Sequence, residues 1–420
     1  MNKPYDLILW GATGFTGRLV AEYLAGQIGR TARPFRWALA GRSQAKLEAV
    51  RQSLARIHPD AAGLPLLLGD SLDRASMDAL AAQARVVCST VGPFLRYGTP
   101  LVAACATQGT DYCDITGETP WIRQNIDAFH TTAVSSGARI VHCCGYDSIP
   151  SDLGTLMVQT HAQETFGRPA QTVKHLIGPT RGGFSGGTVA SMLNLLEQAE
   201  SDRTIRRALA NPFSLTPDGK SPHGRRVSDQ TGPRYDPDFG RWTAPFIMAQ
   251  INSRIVHRSN ALLDYAYGRS FDYHEAMRMS SGTRGRIRAT AFSLGIGAIT
   301  ALGSLGPLRR LLQKTLLPAP GEGPSRETRE SGYFRTTLLG LVPAADGQPA
   351  ARIRGVVAGE QDPGYGETAK MLGESALCLA LDADLPTRGG ILTPAAGMGM
   401  PLVARLRAAG MTFRVETVEK

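Results

Sequence analysis

The chain has 420 residues and no paired-cysteine motif. Its six cysteines (Cys88, Cys105, Cys113, Cys143, Cys144 and Cys378) form no CxxC pair, and several sit inside apolar runs. This argues against a zinc ribbon or a dithiol redox centre and reads as reduced, mostly buried thiols in a cytoplasmic protein. Metal-ligand spacing is missing, so no metal is expected. No Ser-His-Asp or Cys-His arrangement stands out for hydrolysis. A secretory leader is not expected, because the first apolar run, Leu7 to Trp10, is short and leads straight into glycines. The formal net charge is +10, yet no RNA- or DNA-binding motif accompanies it, and no nucleic-acid partner is expected.

Charge itself is lacking across residues 289–308. Roughly twenty apolar residues match the thickness of a bilayer. Gly295, Gly297, Gly303 and Gly306 dilute this stretch, and Pro307 ends it. A buried helix and a membrane-surface helix are the two main readings. The densest basic cluster (Arg278, Arg284, Arg286 and Arg288) stands just before it, which favours an anionic membrane surface. The expected location is cytoplasmic, peripheral to the inner membrane.

What is present is ordinary globular composition, 42% hydrophobic and 20% charged, at a length of two or three domains. From residue 5 to about 145, short apolar runs alternate with helix-period segments. That alternation predicts a Rossmann-type, doubly wound parallel sheet. The character changes near Gly145. A mixed α/β second domain is expected, with a polar loop or lid over 212–240 and paired strands over 333–341 and 351–358. The expected boundaries are 1–147 for the cofactor domain and 148–362 for a substrate or dimer domain carrying an apolar helical segment, 289–317. Residues 363–420 are expected to supply C-terminal helices and a strand that pack back on the first domain. A homodimer is compatible with this plan.

The run Gly11-Ala12-Thr13-Gly14-Phe15-Thr16-Gly17 follows a strand and opens a helix. Glycines allow the sharp turn and the close approach of backbone N–H groups to a pyrophosphate, which the helix N-terminus then holds. Gly17 permits tight packing of helix on strand. After the second strand stand Arg42 and Ser43, where an NAD site usually places an acid for the ribose 2′-hydroxyl. A guanidinium forks onto a 2′-phosphate instead, so the expected cofactor is NADP(H). Asp70 is placed to reach the adenine, and Thr90, Gly92 and Pro93 to line the nicotinamide end.

Three segments bring polar groups to that end. Tyr97 is one candidate donor. Asp114 and Glu118 are candidate partners of the nicotinamide ribose or carboxamide, or else a helix cap. Tyr146 and Asp147 follow the sixth strand, and Asp147 reads equally well as a cap for the helix at Pro150. Tyr146 is the first choice for an acid or carbonyl donor, with Asp147 and Tyr97 as the other catalytic candidates. Gly182 to Gly187 offers backbone donors or a plain turn. His142 reads as a packed strand residue.

Taken together, these motifs resemble the saccharopine-dehydrogenase-like oxidoreductases, most of all the branch of trans-acting enoyl reductases. The resemblance rests on Gly11 to Gly17, on Ala40-Gly41-Arg42-Ser43, and on Gly92-Pro93-Phe94 with Tyr97-Gly98. It continues through Asp111 to Glu118, Gly145 to Asp152, Ser185-Gly186-Gly187-Thr188, Pro320 to Pro324 and Gly364 to Ala369. It implies NADPH-dependent reduction of a hydrophobic acyl or enoyl substrate, free or carrier-bound. Two other readings stay open: an NADP-binding, lipid-associated scaffold or sensor without turnover, and a saccharopine-type amino-acid dehydrogenase.

Overall fold

The computed structural model describes residues 3–182, 197, 202–224, 227–303, 323–345, 347–386 and 389–418. The first layer runs β1 (Tyr5–Trp10), α1 (Phe15–Gly26), β2 (Trp37–Gly41), α2 (Gln44–Leu54), β3 (Leu66–Leu68), α3 (Arg74–Ala81) and β4 (Ala84–Ser89). It continues with the short α4 (Phe94–Tyr97), α5 (Thr99–Gln108), β5 (Asp111–Asp114), α6 (Thr119–Ser136) and β6 (Arg139–Val141). Helix α7 (Ile149–Phe166) then leads to β7 (Thr172–Arg181), α8 (Arg203–Ala210), β8 (Arg234–Asp236), β9 (Arg241–Ala244), α9 (Ala249–Leu262), β10 (Asp272–Arg278) and α10 (Gly282–Gly303). The chain ends with α11 (Arg326–Glu330), β11 (Tyr333–Val342), β12 (Ala351–Gly359), α12 (Thr368–Leu381), β13 (Gly390–Leu392), α13 (Pro394–Gly397), α14 (Gly399–Ala408) and β14 (Thr412–Val418).

The first sheet is parallel, in the order β13-β6-β5-β4-β1-β2-β3. Apart from the edge strand β3, whose Leu68 is exposed, its strands are mostly buried on both faces, which explains their apolar runs. Along β1, Leu7 and Leu9 enter one core with α1 and α12. Ile8 and Trp10 enter the opposite core with α3, α5 and Trp121. The second sheet is mixed, in the order β14-β12-β11-β7-β10-β9-β8. Within it β7 and β10 are parallel and the other pairs antiparallel.

The C-terminal segment divides between the two sheets. Helix α12 packs on α1, β1, β4 and β5, and β13 extends the first sheet beside β6. Strand β14, expected on the first domain, pairs with β12 at the edge of the second sheet. The stretch 212–240 is exposed or half-buried over its described residues from 217 on, but its start differs from an exposed lid: Phe213, Ser214, Leu215 and Thr216 are buried. The reason is Arg258 on α9, which is itself buried and spends its guanidinium on the carbonyls of Leu215 and Ile391. Residues 183–187, the helix expected over 188–199 apart from residue 197, and 304–322 lie outside the described residues.

Helix α7 joins the two sheets and packs on β11, β12, β14, α9, α13 and α14. Its Asp152 is fully buried. One carboxylate oxygen accepts the Ala395 N–H at 2.8 Å, and the other accepts the Ser259 hydroxyl. Burial pushes the acid from its ordinary 3.8 up to about 7. The folded chain therefore holds this proton between pH 4 and 7 while the unfolded chain releases it, and that stabilisation is lost as pH rises through 7. Thermal unfolding should show wild type less stable at pH 8 than at pH 5. Asp152→Asn, which keeps an acceptor for Ala395, should flatten part of that slope. Asp152→Ala should cost about 2 kcal/mol or more at both pH values by stranding buried donors. An unchanged pH slope in Asp152→Asn contradicts this account.

Candidate active site

Gly11 ends β1 with φ +89°, in the left-handed region. A Cβ on Gly11 would meet Val91 and Thr90 at 2.6 and 2.7 Å, and one on Gly17 would lie 2.0 Å from the Gly11 carbonyl oxygen. The Thr90 hydroxyl bonds that same oxygen at 3.2 Å. Helix α1 thus starts flush against β1, with Gly14 as its N-cap and no side chain capping it. Its first-turn N–H groups, around Phe15, Thr16 and Gly17, face the crevice outside the strand ends, as an anion site requires. The glycines let β1, β4 and α1 close on one another, and the uncapped helix start they leave fits a dinucleotide pyrophosphate.

At the end of β2, Arg42 is exposed and has no partner among the described residues. Ser43 is the N-cap of α2 and accepts from the Lys46 N–H. Thr13 lies beside Gly41, its side chain 3.7 Å from a Cβ built there. Asp70 is exposed after β3 and accepts from the Leu72 N–H at 2.9 Å. Lys46, not singled out in the sequence, is exposed on the first turn of α2 just after Arg42 and Ser43, a position the sequence signals, and its backbone N–H bonds the Ser43 hydroxyl.

The segments after β4 and β5 form a firm wall. Thr90 is pinned to Trp10 and Gly11, and Gly92 and Pro93 lead into α4. Tyr97 ends α4 half-buried, with Arg96 over its ring. Both oxygens of Glu118 accept from this turn: Phe94 N–H at 3.0 Å and Leu95 N–H at 2.8 Å. Asp114 is buried and accepts from Thr116 N–H, Cys143 N–H, the Tyr112 hydroxyl and His142 Nδ1. His142 is buried on that carboxylate at 2.8 Å. Asp114 and Glu118 thus hold the wall from behind, and their carboxylates are taken by the chain's own donors.

Tyr146 and Asp147 differ. The Tyr146 N–H bonds Thr368 Oγ1 at 3.1 Å, and its ring stands edge-on to Phe334 at 4.9 Å. Its hydroxyl oxygen is buried without a hydrogen-bond partner among the described residues. Burial, then the charges of Glu275 and Asp147, push its pKa up, so the phenol keeps its proton across the working pH range. Asp147 does not cap α7: Ser148 is the N-cap, with no side-chain cap bond. Its carboxyl lies beside Gly117 and has no described partner, and desolvation alone pushes it up to about 7.

The second layer supplies groups that sequence periodicity does not reveal. Phe15 of the glycine loop stands edge-on to Tyr365 at 4.9 Å and lies under Arg329 at 5.6 Å. Below Tyr146 runs a buried network. Glu275 accepts from Ser151, Asn252 and Tyr273 at 3.0–3.1 Å, and Asn252 accepts from Ser148. Burial raises Glu275 to about 7 as well.

This parallel sheet with its glycine cradle and unpaired cation defines a Rossmann-type NADP(H)-dependent oxidoreductase. Residues 7–141 match the family described as the saccharopine dehydrogenase NADP binding domain. A Mycobacterium tuberculosis relative is 44% identical over 98% of this chain and 97% of its own. Trans-acting enoyl reductases of Mycobacterium tuberculosis and Mycobacterium ulcerans are 42% and 39% identical, each over 98% of this chain and 97–98% of theirs. Saccharopine dehydrogenase (L-Glu forming) from Saccharomyces cerevisiae shares the fold, with a TM-score of 0.54 at 12% identity over 98% of this chain and 99% of that one. The chain belongs to the saccharopine-dehydrogenase-like oxidoreductases, in the family of the trans-acting enoyl reductases.

Arg42 gives the test of cofactor choice. Arg42→Ala should weaken NADPH binding roughly 10- to 100-fold, the loss of one charge-assisted phosphate contact, and leave NADH affinity unchanged. Fluorescence titration reads both. Equal losses for the two cofactors would remove Arg42 from the 2′-phosphate.

Proposed function

We propose that this oxidoreductase reduces the C=C bond of a hydrophobic, carrier-delivered enoyl thioester, with Tyr146 as proton donor and Asp147 as its proton reserve. The observation that carries the reading is the pair itself, a buried phenol and a neighbouring carboxyl, neither with a described partner, at the end of β6. The relatives' names support the substrate class. On this reading Gly11, Thr13, Gly14, Phe15, Thr16 and Gly17 hold the pyrophosphate, and Arg42, Ser43 and Lys46 the 2′-phosphate. Asp70 lies toward the adenine, with Thr90, Gly92 and Pro93 beside the nicotinamide. When bound, NADPH supplies the hydride added at the β-carbon.

The chain's own residues handle the proton. Tyr146 keeps its hydrogen at neutral pH and delivers it to the α-carbon side of the substrate. Asp147, protonated below about pH 7, restores it. Tyr97 has a cation over its ring and serves the rim of the cleft. Asp114 and Glu118 are positioning residues that fix the wall carrying Pro93 and Cys143. The reading includes a peripheral place at an anionic membrane surface, supported by the arginines before the uncharged stretch of α10.

Steady-state kinetics with a trans-2-enoyl thioester tests it. Tyr146→Phe should lower kcat about 100-fold or more with NADPH affinity retained. Wild-type rate should fall as pH rises through about 7, because the reserve acid empties, and Asp147→Asn should be slower and lack that limb. NADPH binding with no turnover of enoyl thioesters would leave a cofactor-binding scaffold. Saccharopine-dependent reduction of the nucleotide would instead mark an amino-acid dehydrogenase.

A further inference from the structure

Between Glu275 and Glu322 the chain has no Asp or Glu, while Arg278, Arg284, Arg286, Arg288, Arg309, Arg310 and Lys314 all fall there. Helix α10 occupies the middle of this interval. Its first two turns are held by the body: the helix packs on β8 and β9, and Gly285 and Ala289 are buried. Arg286 lies 5.8 Å over the Trp242 ring, and Arg288 reaches Ser280 Oγ at 3.3 Å. Arg278 ends the neighbouring β10, and Arg241 begins β9 beside it.

Beyond Ala289 the helix leaves the body. Phe292, Leu294 and Ile299 are 40, 68 and 45% exposed, and only Ser293 and Ile296 are half-buried. A helix that is apolar on all sides normally lies in a core or in lipid. Its hydroxyls fit lipid too. Thr290, Ser293 and Thr300, the three hydroxyl residues between Thr290 and Gly303, each donate to a carbonyl one turn back: Arg286, Ala289 and Ile296, at 2.7–2.9 Å. None of the three therefore needs water as an acceptor.

We propose that α10 enters one leaflet of an anionic bilayer end-on, with Arg241, Arg278, Arg284, Arg286 and Arg288 as a collar at the phosphates. This deepens the proposed peripheral placement and rests on it. From Thr290 to Gly303 the helix rises about 20 Å, against a hydrocarbon core of about 30 Å. No helix among the described residues is long and apolar enough to cross a membrane. An acidic protein surface would satisfy the collar but leave the apolar turns in water. A second copy of this chain would bring like charge to the collar. A bilayer satisfies both parts at once.

Flotation with vesicles of mixed phosphatidylglycerol and phosphatidylcholine, and of phosphatidylcholine alone, tests this on the full chain, with NADPH binding as the folding control. Wild type should float with the anionic vesicles. Leu294→Asp and Ile299→Asp should each weaken that partition at least tenfold, toward the roughly hundredfold penalty of an acid at mid-helix. The Arg284→Ala/Arg286→Ala/Arg288→Ala variant should lose about a hundredfold on anionic vesicles and little on phosphatidylcholine. No binding of wild type to anionic vesicles overturns both the insertion and the peripheral reading. Binding that needs the collar but tolerates both aspartates overturns insertion alone. Binding that tolerates every variant overturns the role of α10.

Discussion

The contact between Gly17 and the Gly11 carbonyl sets the geometry of the whole cofactor crevice. With a Cβ the two could not approach, and α1 would lift from β1. That close approach aims the uncapped first turn of α1 at the crevice, where its N–H groups stay open to an anion. The Thr90 hydroxyl grips the same carbonyl, so the end of β4 joins the knot and is registered to the glycine loop. Phe15, on the same loop, then points outward to Tyr365 and Arg329. One backbone contact thereby fixes the cofactor loop and the place where the second layer meets it.

Helix α7 carries that alignment into the second sheet. It begins where Asp147 leaves the first sheet, and Asp152, within its first turn, binds the return of the chain at Ala395. Glu275 waits across the interface on β10. Each of the three carboxyls is pushed up to about 7 by burial, yet their surroundings differ. Asp152 and Glu275 accept bonds from hydroxyl, amide or backbone donors. Asp147 has no described donor. Similar net shifts therefore leave two acids in structural networks, where hydrogen bonds oppose desolvation, and one acid, Asp147, that desolvation alone raises.

The first layer is readable because a doubly wound sheet writes itself locally: a strand, a turn residue, a helix, repeated. The glycine loop, Arg42 and the six strands before Gly145 come from such short-range signals. β13 cannot be read that way, because three residues of strand gain their identity from β6, far earlier in the chain. The exposed loop expected at 212–240 fails at its first residues, 212–216, for a related reason. Leu215 is buried to serve an arginine on α9, and no periodicity announces that partnership. Asp114 and Glu118 are legible as polar residues at strand ends. Leu95, Phe94, His142 and Cys143, which partner them, come from other segments, so their commitment to the wall is not.

That difference bears on how chemistry is assigned within the cleft. A carboxylate whose oxygens are filled by protein donors, as in Glu118, loses those bonds if it turns toward a ligand. Spending it on the cofactor would unmake α4 and the wall that holds Pro93. A side chain without a protein partner carries no such penalty. The Tyr146 hydroxyl is buried with an unmet hydrogen-bonding need, and an acceptor atom of the substrate relieves that need instead of competing with it. Placement at the strand ends brings together several polar residues, and the accounting of hydrogen bonds sets Tyr146 and Asp147 apart from them as the two without a described partner, which is why the proposed reading rests on this pair.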